Sequence, residues 1–286
     1  MRFRVNHLTR YCYSEPVRLG RHWLRLRPRS QDGVQLLYFD LDVAPAPAGR
    51  SEGLDPDGNL ITAVWFAEAT TRLQVRCQFE VVTGRINPYH YLADPAPWPV
   101  PYAPELSRRL TPWLAAEPAA PSVAALADEL RAQSADASDF VHRLNARLHQ
   151  QIKREIRDTG APQRPEETLA LGIGACRDLA VLFIAVCRLS GLAARFVSGY
   201  QKGRDDVPID AAELGRRRRY MHAWPEVFLP GGGWCGFDPT HGLAVADRHV
   251  ALAAAAHPDD AAPIEGSFFG GAQSTIETEL AIDVDA

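Results

Sequence analysis

The chain contains few cysteines and no long apolar stretch. Its 286 residues include five cysteines, odd in number and widely spaced, so a disulfide framework is not expected. No segment approaches the roughly 18 uninterrupted apolar residues of a membrane span. The N-terminal residues alternate polar and apolar side chains and lack the apolar core of a secretory signal. These absences predict a cytoplasmic protein that does not associate with membranes.

A strong charge of either sign is also absent. Lys and Arg together number 31, Asp and Glu number 35, and the formal net charge is -4. This balance lacks the basic surface expected of a protein that binds nucleic acid. The four consecutive arginines at 216–219 are interpreted as a solvated loop, with contact to an acidic substrate as the alternative.

The first 83 residues have the pattern of half-buried antiparallel strands. Phe3 and Val5 alternate with polar neighbours, and residues 73–81 repeat the same period of two. Residues 55–59, Asp-Pro-Asp-Gly-Asn, have strong turn chemistry. We therefore predict an N-terminal antiparallel β domain over residues 1–83, either a β-sandwich or a small barrel.

A proline-rich connector follows over residues 84–121. It holds nine of the 22 prolines, and its sequence allows a short helix near residues 104–114. Beyond it, apolar residues at helical spacing predict helices at 123–132 and 139–157, with Ser122 and Ser138 as N-caps, and a buried helix at 179–189. Alternation predicts strands at 193–200, 221–229 and 234–238. The whole is an α+β protein whose second domain, with a C-terminal tail, occupies residues 122–286.

Three reactive side chains lie where predicted elements begin or end. Cys176 opens the buried helix after a glycine-containing turn, His222 begins a strand, and Asp238 ends the next strand. A helix N-terminus favours the thiolate form of cysteine. A histidine can then act as base and acid, and a carboxylate can fix the tautomer of its imidazole. Each residue alone has an ordinary structural explanation, but together they predict a nucleophilic cysteine site.

A metal centre is the alternative use of such residues. Cys235 and His241 are close in sequence, but the chain has neither a Cys-x2-Cys nor a His-x3-His pair. Residues 222–226 do not match His-Glu-x-x-His. We expect no metal and no other cofactor, and we interpret Cys12, Cys77, Cys187 and Cys235 as packing residues.

The surroundings of the three residues resemble the motifs of bacterial transglutaminase-like proteins. Residues 174–180, Gly-Ala-Cys-Arg-Asp-Leu-Ala, resemble the cysteine motif of that family. Residues 222–227, His-Ala-Trp-Pro-Glu-Val, resemble its histidine strand, and residues 236–240, Gly-Phe-Asp-Pro-Thr, its aspartate motif. The motifs occur in the family's order. The opening β region and residues 248–250 and 266–284 also resemble family members, so the resemblance extends over nearly the whole chain.

The resemblance implies a papain-like core in which helices pack on an antiparallel sheet. It also implies that Cys176 forms a thioester with a peptide or carboxamide carbonyl, that His222 moves the proton, and that Asp238 orients His222. Resolution by water would make the protein a protease or amidase, and resolution by an amine a protein-glutamine cross-linking transglutaminase. We favour hydrolysis because water is always available. A non-catalytic peptide-binding module on the same fold is the alternative from another class.

Several neighbours of the three residues are predicted to support the site. Tyr200, Trp224 and Arg177 are predicted to contact the substrate, with core packing as an equal alternative for the two aromatic residues. Asp178, in the first turn of the buried helix, is predicted to be a structural hydrogen-bond acceptor. The expected partner is a peptide or protein substrate, and the oligomeric state is left open.

Overall fold

The fold is known from a computed structural model that describes residues 1–31, 33–91, 98–157, 159–202 and 221–285. The described strands are β1 (Arg2–Leu24), β2 (Val34–Ala44), β3 (Gly49–Leu54), β4 (Leu60–Trp65), β5 (Ala69–Thr83), β6 (Lys153–Arg154), β7 (Ile173–Gly174), β8 (Ala194–Gln201), β9 (His222–Leu229), β10 (Gly233–Asp238), β11 (Leu243–Ala244), β12 (His249–Ala255), β13 (Ile264–Phe269) and β14 (Ser274–Asp285). The described helices are α1 (Pro104–Leu114), α2 (Pro121–Gln133), α3 (Ala137–Gln151), α4 (Pro165–Leu171) and α5 (Cys176–Leu189). The arginines at 216–219 lie outside the described residues.

Seven antiparallel strands form the first sheet around the long strand β1. Strand β5 pairs with one edge of β1 and β14 with the other, so that Val5 lies between Phe79 and Ile282. Strand β2 continues the sheet beyond β5, whereas β4 and β13 pair with the last residues of β1. The α+β class and the antiparallel character of the N-terminal region are confirmed, and one shared strand holds that region together.

The inner face of the first sheet packs against the second sheet. The period-two pattern of β5 places Leu73, Val75, Cys77, Phe79 and Val81 on this face, all buried. They join one apolar cluster with Tyr200 of β8 and with Val250 and Leu252 of β12. Burying one such side chain stabilises the fold by about 1.5–3 kcal/mol relative to leaving it exposed. The two sheets therefore share a core.

The predicted division placed the C-terminal tail in the second domain, residues 122–286. In the structure its last strand pairs with the first sheet instead. Strand β14 pairs with β1 along twelve consecutive residues, from Arg2 opposite Asp285 to Tyr13 opposite Ser274. Without β14, this edge of β1 would present a row of unpaired backbone groups. The alternating residues of β14 also place Leu280 and Ile282 on the inner face of the sheet. The chain therefore returns to complete the sheet with which it began.

The second sheet carries the helices on its other face. Its antiparallel strands lie in the order β11, β10, β9, β8 and β12. Helix α5 packs on it, most extensively against β9, and α2 and α3 pack against α5 in the same apolar cluster. Phe183 of α5 stacks on Phe237 of β10 at a centroid distance of 5.8 Å. This packing fixes the start of α5 beside the starts and ends of the neighbouring strands.

The boundaries of two helices, α2 and α3, differ from the predicted ones. Asp136 caps α3, because its side chain accepts the N–H of Asp139 at 2.8 Å, whereas Ser138 lies inside the helix. The helix then stops at Gln151 rather than Arg157, because the chain passes into β6, which pairs in parallel with β7. Helix α2 begins at Pro121 with no side-chain cap, so Ser122 is not its N-cap. The short helix predicted in the connector is confirmed as α1.

Candidate active site

Cys176 is the first residue of α5, and glycines shape the chain before it. Gly172 ends α4 in the left-handed conformation with φ of 63°, which side chains rarely adopt. At Gly174 a Cβ atom would lie 3.2 Å from side-chain atoms of Asp178, Leu179 and Thr168, a tight fit in which these neighbours would have to shift. The chain can thus turn sharply into α5 and leave Cys176 at the helix N-terminus, where the residue is partly exposed.

Asp178 anchors this helix start, as predicted for a structural acceptor. Its fully buried carboxylate accepts the N–H of Ala175 at 2.7 Å and the N–H of Gln163 at 2.8 Å. Both terminal nitrogens of Arg157 donate to the same carboxylate at 2.7 Å. Burial alone would raise the pKa of Asp178, but these donors outweigh it and lower the pKa. Asp178 is therefore occupied by structural contacts.

His222 and Asp238 meet where β9 begins and β10 ends. The imidazole Nε2 lies 2.8 Å from Oδ2 of Asp238, and the two side chains are 7% and 0% exposed. Burial would lower the pKa of His222, but the charge of Asp238 and its hydrogen bond raise it to about 10. The carboxylate in turn is held ionised, because the charge of His222 keeps the pKa of Asp238 well below its usual value despite burial.

The thiol of Cys176 interacts with the same histidine. Hydrogen bonding to the side chain of His222 and to the backbone N–H of Ala223 favours its ionised form. Since Nε2 of His222 faces Asp238, Nδ1 is the nitrogen left for the thiol. Burial would raise the pKa of Cys176, but the hydrogen bond and charge of His222 outweigh burial and lower it. Both shifts favour a thiolate paired with an imidazolium.

Asp238 has two further histidine neighbours that the sequence did not assign to the site. Nδ1 of His241 and Nε2 of His249 lie 2.9 and 3.0 Å from the same oxygen, Oδ2. His241 lies three residues beyond Asp238 in a turn, a local signal that could have been recognised. His249 begins β12 on the far side of β8, so only the strand order brings it near.

A metal ion is the other occupant that such a cluster permits. The ligand atoms of His222, Asp238 and His241 lie within 4.8 Å of one another. However, the nitrogens contact the carboxylate directly at 2.8 and 2.9 Å. Two ligands on a tetrahedral zinc ion, each about 2.0–2.1 Å from the metal, would be separated by about 3.3 Å. The observed distances fit direct hydrogen bonds, so we interpret the group as a hydrogen-bonded cluster.

The three predicted substrate contacts lie elsewhere or are occupied. Tyr200 is fully buried between the two sheets, where its hydroxyl lies 2.7 Å from Nδ1 of His7. Trp224 is also buried, with its ring 6.0 Å from that of His222. Arg177 donates to the backbone carbonyls of residues 157 and 159 at 2.7 and 2.6 Å, and so fixes the loop before α4. The structure brings together the thiol, imidazole and carboxylate but assigns these other residues to packing.

A thiol at a helix start, hydrogen-bonded to an imidazole that a carboxylate orients, is the arrangement of cysteine-nucleophile acyl-transfer enzymes. Two family models match the chain. Residues 3–82 match the bacterial transglutaminase-like N-terminal region, and residues 124–239 match the transglutaminase-like superfamily core. The chain belongs to the transglutaminase-like superfamily, as its motifs had indicated.

Individual relatives extend this assignment along the chain. An uncharacterized protein of Mycobacterium tuberculosis is 27% identical over 99% of this chain and 92% of its own length. A protein-glutamine gamma-glutamyltransferase of Pseudomonas aeruginosa is 32% identical over 43% of this chain but only 19% of its own length. A crystal structure described as a candidate cysteine protease from Cytophaga hutchinsonii superposes with a TM-score of 0.72. It covers 100% of this chain and 92% of that one at 22% identity, a likeness that concerns the fold alone.

Proposed function

We propose that this protein is a cysteine-dependent acyl-transfer enzyme that hydrolyses a peptide or carboxamide bond through a thioester on Cys176. The observation that carries the proposal is the grouping of three side chains at the start of α5: His222 lowers the pKa of the Cys176 thiol, and Asp238 contacts Nε2 of His222 at 2.8 Å. A binding module would need neither the lowered thiol pKa nor a buried carboxylate aligned behind the imidazole. The non-catalytic alternative therefore leaves the most specific features of the site unexplained.

In the first step, the thiolate sulfur attacks the carbonyl carbon of the substrate and the carbonyl oxygen takes up negative charge. The first N–H groups of α5 have no partner within the helix and can donate to that oxygen. The C–N bond then breaks as the His222 imidazolium gives its proton to the leaving nitrogen. An amine or ammonia departs, and the acyl group remains on Cys176 as a thioester.

In the second step, neutral His222 takes a proton from water while the water oxygen adds to the thioester carbonyl. The C–S bond breaks, a carboxylic acid leaves, and the thiolate–imidazolium pair is restored. An amine in place of water would give a new amide bond. The similarity to the gamma-glutamyltransferase of Pseudomonas aeruginosa favours this transfer reaction as the second candidate.

The decisive experiment offers one substrate under both conditions. A glutamine-containing peptide is incubated with the enzyme, first alone and then with a fluorescent primary amine, and both ammonia and labelled peptide are measured. We expect ammonia release without the amine and no release by Cys176→Ala. Release only in the presence of the amine would support cross-linking instead. A peptide library screened by mass spectrometry serves as the second substrate class, and equal rates for wild type and Cys176→Ala in both assays would refute the proposal.

A further inference from the structure

The carboxylate of Asp238 receives more donors than the orientation of one histidine requires. Its Oδ2 lies within hydrogen-bond distance of nitrogens from His222, His241 and His249. Its Oδ1 accepts the backbone N–H of His241 at 3.2 Å. The carboxylate is completely buried, so these contacts replace the water that would otherwise solvate its charge.

The protonation of the two additional histidines follows from their partners. Arg154 has no acceptor atom and lies 3.2 Å from Nε2 of His241, so that nitrogen accepts and Nδ1 carries the proton. The ionised Asp238 can only accept, so Nε2 of His249 also carries its proton. Burial lowers the pKa of His249, and the ring therefore donates to Asp238 in its neutral form.

The other contacts of His249 do not explain why an imidazole stands at this position. The residue is 4% exposed, and its ring packs edge-on against Trp224 at a centroid distance of 5.2 Å. Its Nδ1 is buried and has no hydrogen-bond partner among the residues that the structure describes. Such an orphaned acceptor destabilises a fold, and an apolar side chain of similar size would avoid it. The N–H that His249 offers to Asp238 is the interaction that accounts for an imidazole here.

We infer that His249 is a positioning residue that holds the Asp238 carboxylate in place behind His222. The inference rests on the proposed function, because it gives His249 a role through the Cys176–His222–Asp238 chain. His249 stands at the first position of β12, and its Cα partner in β8 is Gln201. Asn59 binds both the N–H and the carbonyl of Ala254, which ties the same strand to the first sheet. The N–H donor of His249 therefore lies on a strand that is held by β8 and by Asn59.

Removing this donor has a predictable consequence. The ionised carboxylate loses one hydrogen bond, so Asp238 is protonated at a higher pH than in the wild type. Once Asp238 is protonated, the imidazolium of His222 loses its counter-ion and the thiolate of Cys176 loses its partner. The titratable or charged groups around Asp238 are His222 from β9, His241 from the turn after β10 and His249 from β12, with Cys176 of α5 beside His222 and Arg154 of β6 beside His241.

The test follows the alkylation of Cys176 by iodoacetamide across pH, measured by mass spectrometry on the full-length protein. His249→Leu removes the donor, and His249→Gln retains an N–H near the position of Nε2. His7→Leu is the matched control, because His7 is equally buried but contacts Tyr200 in the other core. The acid limb is the part of the pH profile in which the alkylation rate declines towards low pH. We expect its midpoint to move up by about one pH unit in His249→Leu, so that the rate at pH values below the midpoint falls about tenfold. The limb should return most of the way in His249→Gln and stay unchanged in His7→Leu.

Thermal unfolding separates this role from a merely structural one. A wild-type acid limb in folded His249→Leu would overturn the inference. Should that variant fail to fold, His249→Asn replaces it, because the shorter amide keeps the polarity but does not reach Asp238. Equal limbs for the Asn and Gln variants would then overturn the inference in the same way. Alkylation needs no substrate, so a shifted limb in a protein without turnover would refute the proposed acyl transfer and leave the role of His249 standing.

Discussion

Replacing Asp238 by Asn should remove the charge behind His222 while keeping the shape of the side chain. Asp238 is fully buried and Oδ2 contacts the imidazole at 2.8 Å, so its negative charge acts on His222 without intervening water. An amide in its place can still accept a hydrogen bond through its oxygen. It offers no counter-ion to the imidazolium, and its NH2 group can present a donor where three imidazoles already donate.

The size of the effect follows from the distance between the charges. With the charge centres about 4 Å apart and an effective dielectric constant of about 20, the attraction is about 4 kcal/mol. That energy corresponds to about three pKa units, so the pKa of His222, raised to about 10 in the wild type, should fall to about 7 or below. The thiolate of Cys176 loses its partner to the same extent. We expect turnover to fall roughly a thousandfold and alkylation of Cys176 at neutral pH to slow towards the rate of an ordinary thiol.

The measurement combines kcat/KM, the alkylation rate of Cys176 across pH, and thermal unfolding. Asp259→Asn is the control, because Asp259 is exposed and its only described ion pair is with His257 at 3.6 Å. The control should match the wild type in all three. An Asp238→Asn variant that folds and keeps a rate within a few-fold of the wild type would refute the reasoning, since another group would then orient His222.

Three further perturbations test the scaffold of the site. Asp178→Ala leaves Arg157 without its main partner and should destabilise the fold by about 3 kcal/mol in urea unfolding, whereas the exposed Asp128→Ala should cost under about 0.5 kcal/mol. Iodoacetamide at neutral pH should label Cys176 and leave Cys187 untouched until the protein unfolds, because complete burial raises the pKa of Cys187; early labelling of Cys187 in folded protein would contradict the described core. Deletion of residues 274–285 exposes the edge of β1 and should cause aggregation in light scattering, whereas a monodisperse product with unchanged thermal stability would show that β14 is dispensable.

The sequence alone was informative wherever local periodicity decides structure. The alternation in β5 predicted its buried face, because side chains of a strand point to opposite sides in turn. The glycine turn before Cys176 predicted a sharp entry into α5, and Gly172 does adopt a positive φ. The three reactive residues were found in the same way, since each lies at the end of an element whose pattern is clear.

The sequence was uninformative where distant segments decide. Nothing local marks β14 as a partner of β1, because that pairing joins residues more than 260 positions apart. The buried hydroxyl of Tyr200 has its partner, His7, 193 positions away, so a substrate contact and a core contact look alike in the sequence. His249 faces Asp238 only because β12 returns beside β8. No described helix is long and apolar enough to span a membrane. The cytoplasmic location remains a prediction.

The most direct test of the central claim is the covalent intermediate on Cys176. The protein is mixed with an activated acyl ester or a cleavable peptide, quenched in acid within milliseconds, and analysed by intact and peptide mass spectrometry. We predict an acyl adduct on the peptide that contains Cys176, released by hydroxylamine as expected for a thioester and absent from Cys176→Ala. Turnover with no adduct on Cys176, or with the adduct on Cys12, Cys77, Cys187 or Cys235 instead, would contradict the account.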